Sequence, residues 1–337
     1  GYDNDESRDR ERFLARVQRR HLRTGRHKNL LEAVRRLMEQ ANIAESAGEG
    51  RALFVLGETG AGKTHALSRV IRDMDTAQPV RTATTTTMPI VRVVAPSPCT
   101  LKMLGTEILL ALGYPLTREL KESTAWGLVR QQLRMRGVKI VHIDEGQHML
   151  NWRDANERQK LADTLKNVMQ QPDWPVSFIV SGLPELADFL DGDRQLRRRS
   201  EKLFLSALDL AENRELLAWM TREVVHEHAG MTLEFEITED FLGRLHRAAC
   251  GQFGIVVQVL QSAVEQAVAR DIDATVVAWD DFAKAYRALA GCQPAENVFL
   301  ARDWHLIEPS NALLESLAHD PGNQDPEDTG RKKRKRA

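Results

Sequence analysis

The sequence predicts an α/β protein, in which a parallel sheet flanked by helices is followed by a small all-helical domain. Three observations predict this fold class. An apolar strand, Leu53 to Leu56, runs into the glycine-rich segment G-x-x-x-x-G-K-T and then into a helix. Strand and helix patterns alternate from there to about residue 206, as a parallel sheet covered by helices requires. From Ala211 onward the apolar residues recur at helical spacing.

The elements of the first domain follow in chain order. A helix precedes the glycine-rich loop and places Leu30, Leu31, Val34, Leu37 and Met38 on one face. After the loop helix, strands are predicted over residues 90–94, 138–144, 176–182 and 202–205. Helices are predicted over residues 101–112 and 126–136 between them. These strands, with the one before the loop, make the parallel sheet.

The glycine-rich loop predicts a site for a nucleoside triphosphate, with ATP and Mg²⁺ as its ligands. Its glycines let backbone N–H groups face phosphate oxygens, and the following helix presents its positive end to the same anion. Lys63 is expected to neutralise the β- and γ-phosphates, and the Thr64 hydroxyl to bind Mg²⁺. A chance glycine-rich turn would not usually supply both the apolar strand and the helix. The predicted binding residues are Gly57, Glu58, Thr59, Gly60, Ala61, Gly62, Lys63 and Thr64.

An acidic pair at the end of a later strand predicts ATP hydrolysis. Asp144 and Glu145 follow the apolar segment that begins at Val138. Asp144 fits the carboxylate that holds Mg²⁺ through water, and Glu145 fits the base that polarises the attacking water. The alternative is that the pair caps a helix, because acidic residues commonly follow buried strands in that role.

Two further positions are candidates for catalysis. Ser181 ends the strand at 176–182 and could hold the attacking water or sense the γ-phosphate; alternatively it caps a turn. The basic cluster Arg194 to Arg199 precedes the last strand. In a ring or filament, an arginine here would reach the neighbour's γ-phosphate, with Arg199 the first choice and Arg198 the second. The alternative is a basic loop that faces solvent or DNA.

Composition supports a core domain of about 200 residues and a smaller one, because the 337-residue chain is 42% hydrophobic and 28% charged. No apolar run approaches the ~20 residues of a membrane-spanning helix, and the first residues are charged where a signal peptide would be apolar. Cys99, Cys250 and Cys292 lack metal-ligand spacing. We therefore expect a cytoplasmic protein with no membrane partner.

The net charge of −1 conceals two basic segments at the ends of the chain. The N-terminal basic residues contact DNA or a partner, or form the solvated face of a helix. The terminal run Arg331 to Arg336 follows an acidic stretch with few apolar residues and is expected to be a flexible tail, either a nucleic-acid arm or an added localisation tag. The N-terminal group comprises Arg8, Arg10, Arg12, Arg16, Arg19, Arg20, Arg23, Arg26 and Lys28.

The helical segment after the core resembles the lid of AAA+ ATPases, although its stretch Cys250-Gly-Gln-Phe-Gly lacks the arginine that many lids carry there. Over residues 26–290 the chain resembles the TniB/TnsC-type transposition ATPases within AAA+. The resemblance rests on the P-loop, on V-V-A-P-S-P and L-K-M-L-G-T-E-I-L with L-G-Y-P after them, and on I-D-E-G-Q-H, S-G-L-P-E, Q-L-R-R-R and G-Q-F-G. Ser200 stands where related chains usually have an aromatic residue.

The resemblance implies an ATP-dependent regulator that oligomerises on double-stranded DNA as a ring or filament. Such bacterial proteins recruit a transposase, work with a target-selection protein, and disassemble on hydrolysis. Thr100 and Lys102 lie where related proteins contact the DNA backbone; alternatively Thr100 caps a helix and Lys102 is solvated. The implied segments are a basic arm over 1–25, an AAA+ core over 26–206, a lid over 207–290 and an extension over 291–337.

Two other function classes share these motifs. A helicase loader or replication-initiator ATPase would bind a helicase or an origin where the first class binds a transposase. A signalling or scaffold ATPase would bind nucleotide without binding DNA, so ATP-dependent DNA binding separates it from the others.

Overall fold

The computed structural model describes residues 2–81, 86–116, 119–150 and 154–309. Its helices are α1 Tyr2–Arg19, α2 Gly25–Ala47, α3 Lys63–Arg72, α4 Leu101–Ala111, α5 Glu122–Met135, α6 Ala155–Met169, α7 Leu186–Gly192, α8 Arg194–Arg198, α9 Arg214–Arg222, α10 Glu239–Ala248, α11 Phe253–Arg270 and α12 Trp279–Ala290. Its strands are β1 Ala52–Leu56, β2 Val80–Arg81, β3 Thr86–Thr87, β4 Ile90–Val94, β5 Ile140–Asp144, β6 Ser177–Gly182, β7 Ser200–Phe204, β8 Thr232–Leu233 and β9 Val276–Val277.

The described residues separate into two compact units. A sheet unit contains residues 23–58 and 62–206, and a helical unit contains residues 2–22, 59–61 and 207–309. The segment predicted as a basic arm therefore contributes α1 to the helical unit, where Val17 is buried. The basic tail predicted for residues 331–336 lies outside the described residues.

The sheet unit is built on a five-stranded parallel sheet, which confirms the predicted fold class. The strand order is β4-β5-β6-β1-β7, and each neighbouring pair is parallel. The predicted strands and the helix before the loop are all present, the latter as α2, whose Thr24 side chain accepts from the N–H of His27. Strands β1, β5 and β6 are buried along their whole length, as central parallel strands are.

The two faces of this sheet differ in chemistry, because alternate side chains of a strand point to opposite faces. One face contributes apolar side chains to the core, among them Val93, Ile143 and Val180. On the other face, adjacent strands bring together Arg92 of β4, His142 and Asp144 of β5, and Ser181 of β6. These four polar side chains lie together within a buried sheet and are therefore candidates for a functional site.

The helical unit has a core centred on α11 and α12. Phe235, Phe241, Trp279, Phe282 and Phe299 form an aromatic cluster beside them, with ring centroids 5.0–6.4 Å apart. The sequence predicted only helices here, but β8 and β9 form a short parallel pair. Two-residue strands are too short to produce an alternating pattern. Among the described residues, no helix is long and apolar enough to cross a membrane.

Candidate active site

The glycine-rich loop joins the end of β1 to the start of α3. Gly60 and Gly62 adopt φ values of 80° and 85°, a left-handed conformation that favours glycine. Gly62 immediately precedes α3, so the loop leads the backbone N–H groups of a helix N-terminus towards a common point. This geometry is suited to phosphate oxygens, as the sequence predicted.

Lys63 lies inside the loop and is 8% exposed. Its ammonium group donates to the carbonyl oxygens of Gly57 at 2.7 Å and Glu58 at 3.1 Å. Burial lowers the pKa of Lys63, and the nearby carboxylates of Glu145, Asp144 and Glu58 oppose that shift. A phosphate oxygen can replace either carbonyl as acceptor, and it brings negative charge that stabilises the buried ammonium.

Thr64 and Asp144 meet at the carboxyl edge of the sheet. The Thr64 hydroxyl donates to Oδ2 of Asp144 at 2.8 Å, although the two residues are 80 positions apart. Asp144 is 2% exposed. A hydroxyl and a carboxylate oxygen at this separation are the hard donors that Mg²⁺ prefers, and the ion commonly keeps waters between itself and such a carboxylate. The residues therefore fit the predicted metal.

Asp144 is held by hydrogen bonds on both oxygens. Oδ1 accepts from the hydroxyl of Ser181 at 2.6 Å and from the N–H of Glu145 at 3.0 Å. Ser181 also contacts Nε2 of His142 at 2.9 Å, and all three side chains are buried. Burial alone would raise the pKa of Asp144, but contacts with His142, Ser181, Arg92 and Thr64 outweigh it and lower that pKa. The carboxylate is therefore ionised at neutral pH.

His142 supports this arrangement as a neutral ring. Burial is the main effect, opposed by Asp144 and reinforced by Arg92, and it lowers the pKa of His142 to about 4. Within the described residues, its Nδ1 has no hydrogen-bond partner. The structure thus places Ser181 between His142 and Asp144. Its predicted contact with water or the γ-phosphate stays a prediction.

Glu145 adopts an uncommon backbone conformation for a residue with a side chain, at φ 54° and ψ 39°. Its carboxylate accepts a hydrogen bond from the Gln147 amide, whose oxygen in turn accepts from the N–H of Leu183 at 3.2 Å. The Glu145 side chain makes no capping bond to the turn that follows it, so helix capping does not describe this residue. Gln147 therefore fixes the direction of the Glu145 carboxylate, while the N–H of Glu145 donates to Asp144.

Arg92 and the DNA-contact candidates make further polar contacts within the sheet unit. Arg92 donates to Oδ2 of Asp144 at 2.9 Å and to the hydroxyl of Ser68 at 3.1 Å. Thr100 caps α4 by accepting from the N–H of Met103 at 3.2 Å. Lys102 pairs with Glu119. Thr100 therefore caps a helix and Lys102 forms an ion pair, as the alternative interpretation of these residues expected for Thr100. Contact of either residue with DNA stays a prediction.

The basic cluster Arg194 to Arg199 consists of α8 and the residue that follows it. Arg199 donates from Nε to Glu49 at 2.8 Å, with its side chain 18% exposed, whereas Arg198 is exposed.

In the helical unit, which includes residues 59–61 of the loop, the N–H of Gly254 donates to the carbonyl of Gly60 at 2.9 Å. The residue that precedes α11 is Gln252, which is 6% exposed, and the stretch Cys250-Gly-Gln-Phe-Gly contains no arginine.

Sequence reasoning missed Arg92, His142 and Gln147. The signal for the first two was present, because an arginine and a histidine interrupt otherwise apolar strands at positions that alternate with the core-facing residues. Their shared partner could not be read from the sequence, since it depends on the register of β4, β5 and β6.

This chain is similar to known proteins in sequence family and in fold. A family model described as "Bacterial TniB protein" matches residues 12–209. The crystal structure of Cdc6p from Pyrobaculum aerophilum is similar with a TM-score of 0.56 at 15% identity, covering 83% of this chain and 74% of that one. The ORC2 protein of Aeropyrum pernix, in its ADPNP–ADP complexes, gives 0.55 at 18% identity, covering 82% and 71%. No curated protein sequence matches. At these identities the likeness shows the fold alone, and it agrees with the predicted α/β fold class.

Proposed function

The chain belongs to the TniB family of bacterial proteins, and from that membership and its nucleotide site we propose that it is an ATP-hydrolysing regulator of transposition. It assembles on double-stranded DNA in its ATP-bound form and recruits or activates a transposase. Hydrolysis drives its disassembly. The observation that carries the proposal is the hydrogen bond between Thr64 and Asp144, because it brings a P-loop hydroxyl and an acidic strand end to one point beside Glu145.

Each side chain of the site has a distinct task in this reaction. Backbone N–H groups of residues 57–64 and the Lys63 ammonium hold the phosphates. Thr64 and Asp144 hold Mg²⁺, which would neutralise charge on the phosphate oxygens. Glu145 orients and polarises the attacking water, and Gln147 fixes the direction of its carboxylate. An arginine of the basic cluster Arg194 to Arg199 from a neighbouring subunit, Arg199 by first choice, stabilises the charge of the transition state.

DNA binding by Thr100 and Lys102 completes the proposal. Both residues lie at the start of α4, where a hydroxyl and an ammonium group can bind phosphates of the DNA backbone without reading bases. Lys102 would exchange its exposed partner Glu119 for a phosphate. Because such contacts are sequence-independent, a target-selection protein would choose the site, and this chain would supply the assembly on it.

A replication-initiator or helicase-loader role is the alternative, because it would use the same nucleotide site. Similarity to Cdc6p and ORC2 is similarity of fold at 15–18% identity, so it does not favour that role. Membership in the TniB family favours transposition. Capture of the cognate transposase, and not of a replicative helicase, by the DNA-bound protein distinguishes the two.

The test is retention of duplex DNA in the presence of ATP, of a non-hydrolysable ATP analogue, of ADP, and of no nucleotide. We expect retention with ATP and the analogue, and loss of it in Lys63→Ala. Lys102→Ala should weaken binding for all sequences and reduce the slope of log K against log salt by about one. Lys284→Ala is the matched control, since Lys284 is also an exposed lysine paired with a carboxylate. Equal retention with and without nucleotide would refute the proposal.

A further inference from the structure

Arg92 occupies an unusual place for a charged residue. It lies in the middle of β4, whose other residues are Ile90, Val91, Val93 and Val94. Its guanidinium group bridges two elements, donating through Nη1 to Ser68 of α3 and through Nη2 to Asp144 of β5. The Arg92 side chain is 30% exposed and the Asp144 side chain 2%. Within the described part of the chain, the buried Nε of Arg92 has no hydrogen-bond partner.

Arg92 contacts the same oxygen of Asp144 as Thr64, the residue proposed to bind Mg²⁺. Oδ2 accepts both from Arg92 at 2.9 Å and from the Thr64 hydroxyl at 2.8 Å. Oδ1 is already shared by Ser181 and the N–H of Glu145. A metal ion that approaches Thr64 therefore meets a carboxylate whose nearer oxygen already carries a positive partner.

Two cations on one carboxylate repel each other, and the repulsion is stronger in a buried place than in water. Without metal, the guanidinium compensates a buried carboxylate that would otherwise face the phosphates as a like charge. With metal, the same guanidinium competes for the electron density of that carboxylate. Ser68 holds Arg92 from the other side, so the side chain stays near the site.

We propose that Arg92 is a built-in counter-cation of Asp144 that sets the Mg²⁺ requirement of nucleotide binding. It lets ATP enter before the metal, and it raises the Mg²⁺ concentration needed to complete the site. The inference rests on the proposed function, because it assumes that the site binds MgATP.

Arg92→Gln tests the proposal, because it removes the positive charge and keeps a polar side chain with an N–H donor. The measurement is binding of a fluorescent ATP analogue in the Glu145→Gln background, which slows turnover, with Mg²⁺ titrated from an EDTA baseline. We expect the Mg²⁺ concentration for half-maximal binding to fall about tenfold or more. We expect binding in EDTA to weaken at least threefold, since Asp144 then repels the phosphates without compensation.

Two controls separate this role from others. Arg72→Gln removes an exposed arginine at the end of α3 and should leave both measurements unchanged. Arg92→Lys keeps the charge, so its Mg²⁺ midpoint should stay within about threefold of the parent. This expectation also serves as the test if Arg92→Gln does not fold, because a tenfold shift in Arg92→Lys in either direction would overturn the proposal.

The outcomes are distinguishable from failure of the proposed function. If the parent protein binds no MgATP, the proposed function fails. If the parent binds MgATP and Arg92→Gln needs as much Mg²⁺ or more, Arg92 only positions Asp144, and the counter-cation proposal is wrong. A lower Mg²⁺ midpoint together with weaker nucleotide binding in EDTA supports the proposal, because a merely structural defect would weaken nucleotide binding with and without Mg²⁺.

Discussion

Arg199, the first choice for an arginine that completes a neighbour's site, donates from Nε to Glu49 of its own chain at 2.8 Å. A second contact joins Nη1 to the carbonyl of Gln195 at 3.3 Å. To reach another subunit, Arg199 would have to leave a partly buried carboxylate, with side-chain exposures of 18% and 32% for the pair. Arg198 is already exposed. Contact with a neighbouring subunit would therefore require Arg199, but not Arg198, to leave the ion pair with Glu49.

Substitution of Arg199 should slow ATP hydrolysis without weakening ATP binding. Arg199→Ala should bind ATP normally and hydrolyse it ~10³-fold more slowly, because an arginine finger acts on the transition state. The measurement is steady-state hydrolysis on duplex DNA together with nucleotide affinity. Arg194→Ala is the matched control, since Arg194 is an exposed arginine of the same basic cluster, at the start of α8.

Mixing subunits tests the neighbour contact directly. Arg199→Ala mixed with Lys63→Ala should recover part of the activity, because the intact P-loop of one subunit then meets the intact Arg199 of another. If Arg198→Ala shows the loss and Arg199→Ala does not, Arg198 is the finger. If neither changes hydrolysis, α8 is a basic surface and does not complete a site.

Asp193 anchors the helix that carries this cluster. Its Oδ2 accepts from the buried Lys166 ammonium at 2.8 Å, and its Oδ1 accepts from the N–H groups of Gln195 and Leu196 at the start of α8. Burial alone would raise the pKa of Asp193, but Lys166, the Leu196 N–H and Gln159 outweigh it and lower that pKa. Stability from this group is therefore present above its unfolded pKa and is lost as pH falls through its lower folded pKa.

Asp193→Asn should reduce the free energy of unfolding by about 2 kcal/mol at pH 7, because Lys166 loses its buried ionic partner and keeps only the exposed Asp163. The measurement is chemical denaturation followed from pH 7 downwards. The difference from the parent should shrink below about pH 4, where the unfolded carboxyl takes up its proton. Asp191→Asn, which breaks an exposed pair with Lys202, should change stability by less than about 1 kcal/mol. Equal effects of both substitutions at pH 7 would contradict this account.

The fold class was predictable from the sequence, and the five-stranded parallel sheet confirms it. The loop at 57–64 and the pair Asp144 and Glu145 are contiguous patterns that could be found locally, and their roles stay predictions. Contacts that join distant elements were not predictable. Arg92 and His142 read simply as strand residues until the register of β4, β5 and β6 places them beside Asp144 and Ser181.

The pairing of Arg199 with Glu49 illustrates the same limit, because the two residues lie 150 positions apart. The arginine-rich stretch was visible in the sequence, but which of its members is exposed depends on how α8 packs. Leu196 is buried and turns Arg194, Arg197 and Arg198 outward, while Arg199 follows the end of the helix.

Glu145→Gln tests the proposal that ATP hydrolysis releases the protein from DNA. The amide can still hydrogen-bond but cannot act as a carboxylate base, so hydrolysis should fall at least ~10²-fold while ATP and duplex DNA still bind. The measurement is the dissociation rate of pre-formed complexes from duplex DNA after removal of free ATP, alongside hydrolysis. We expect complexes of Glu145→Gln to persist while those of the parent dissociate. Equal dissociation rates despite blocked hydrolysis, or hydrolysis within a few-fold of the parent, would contradict it.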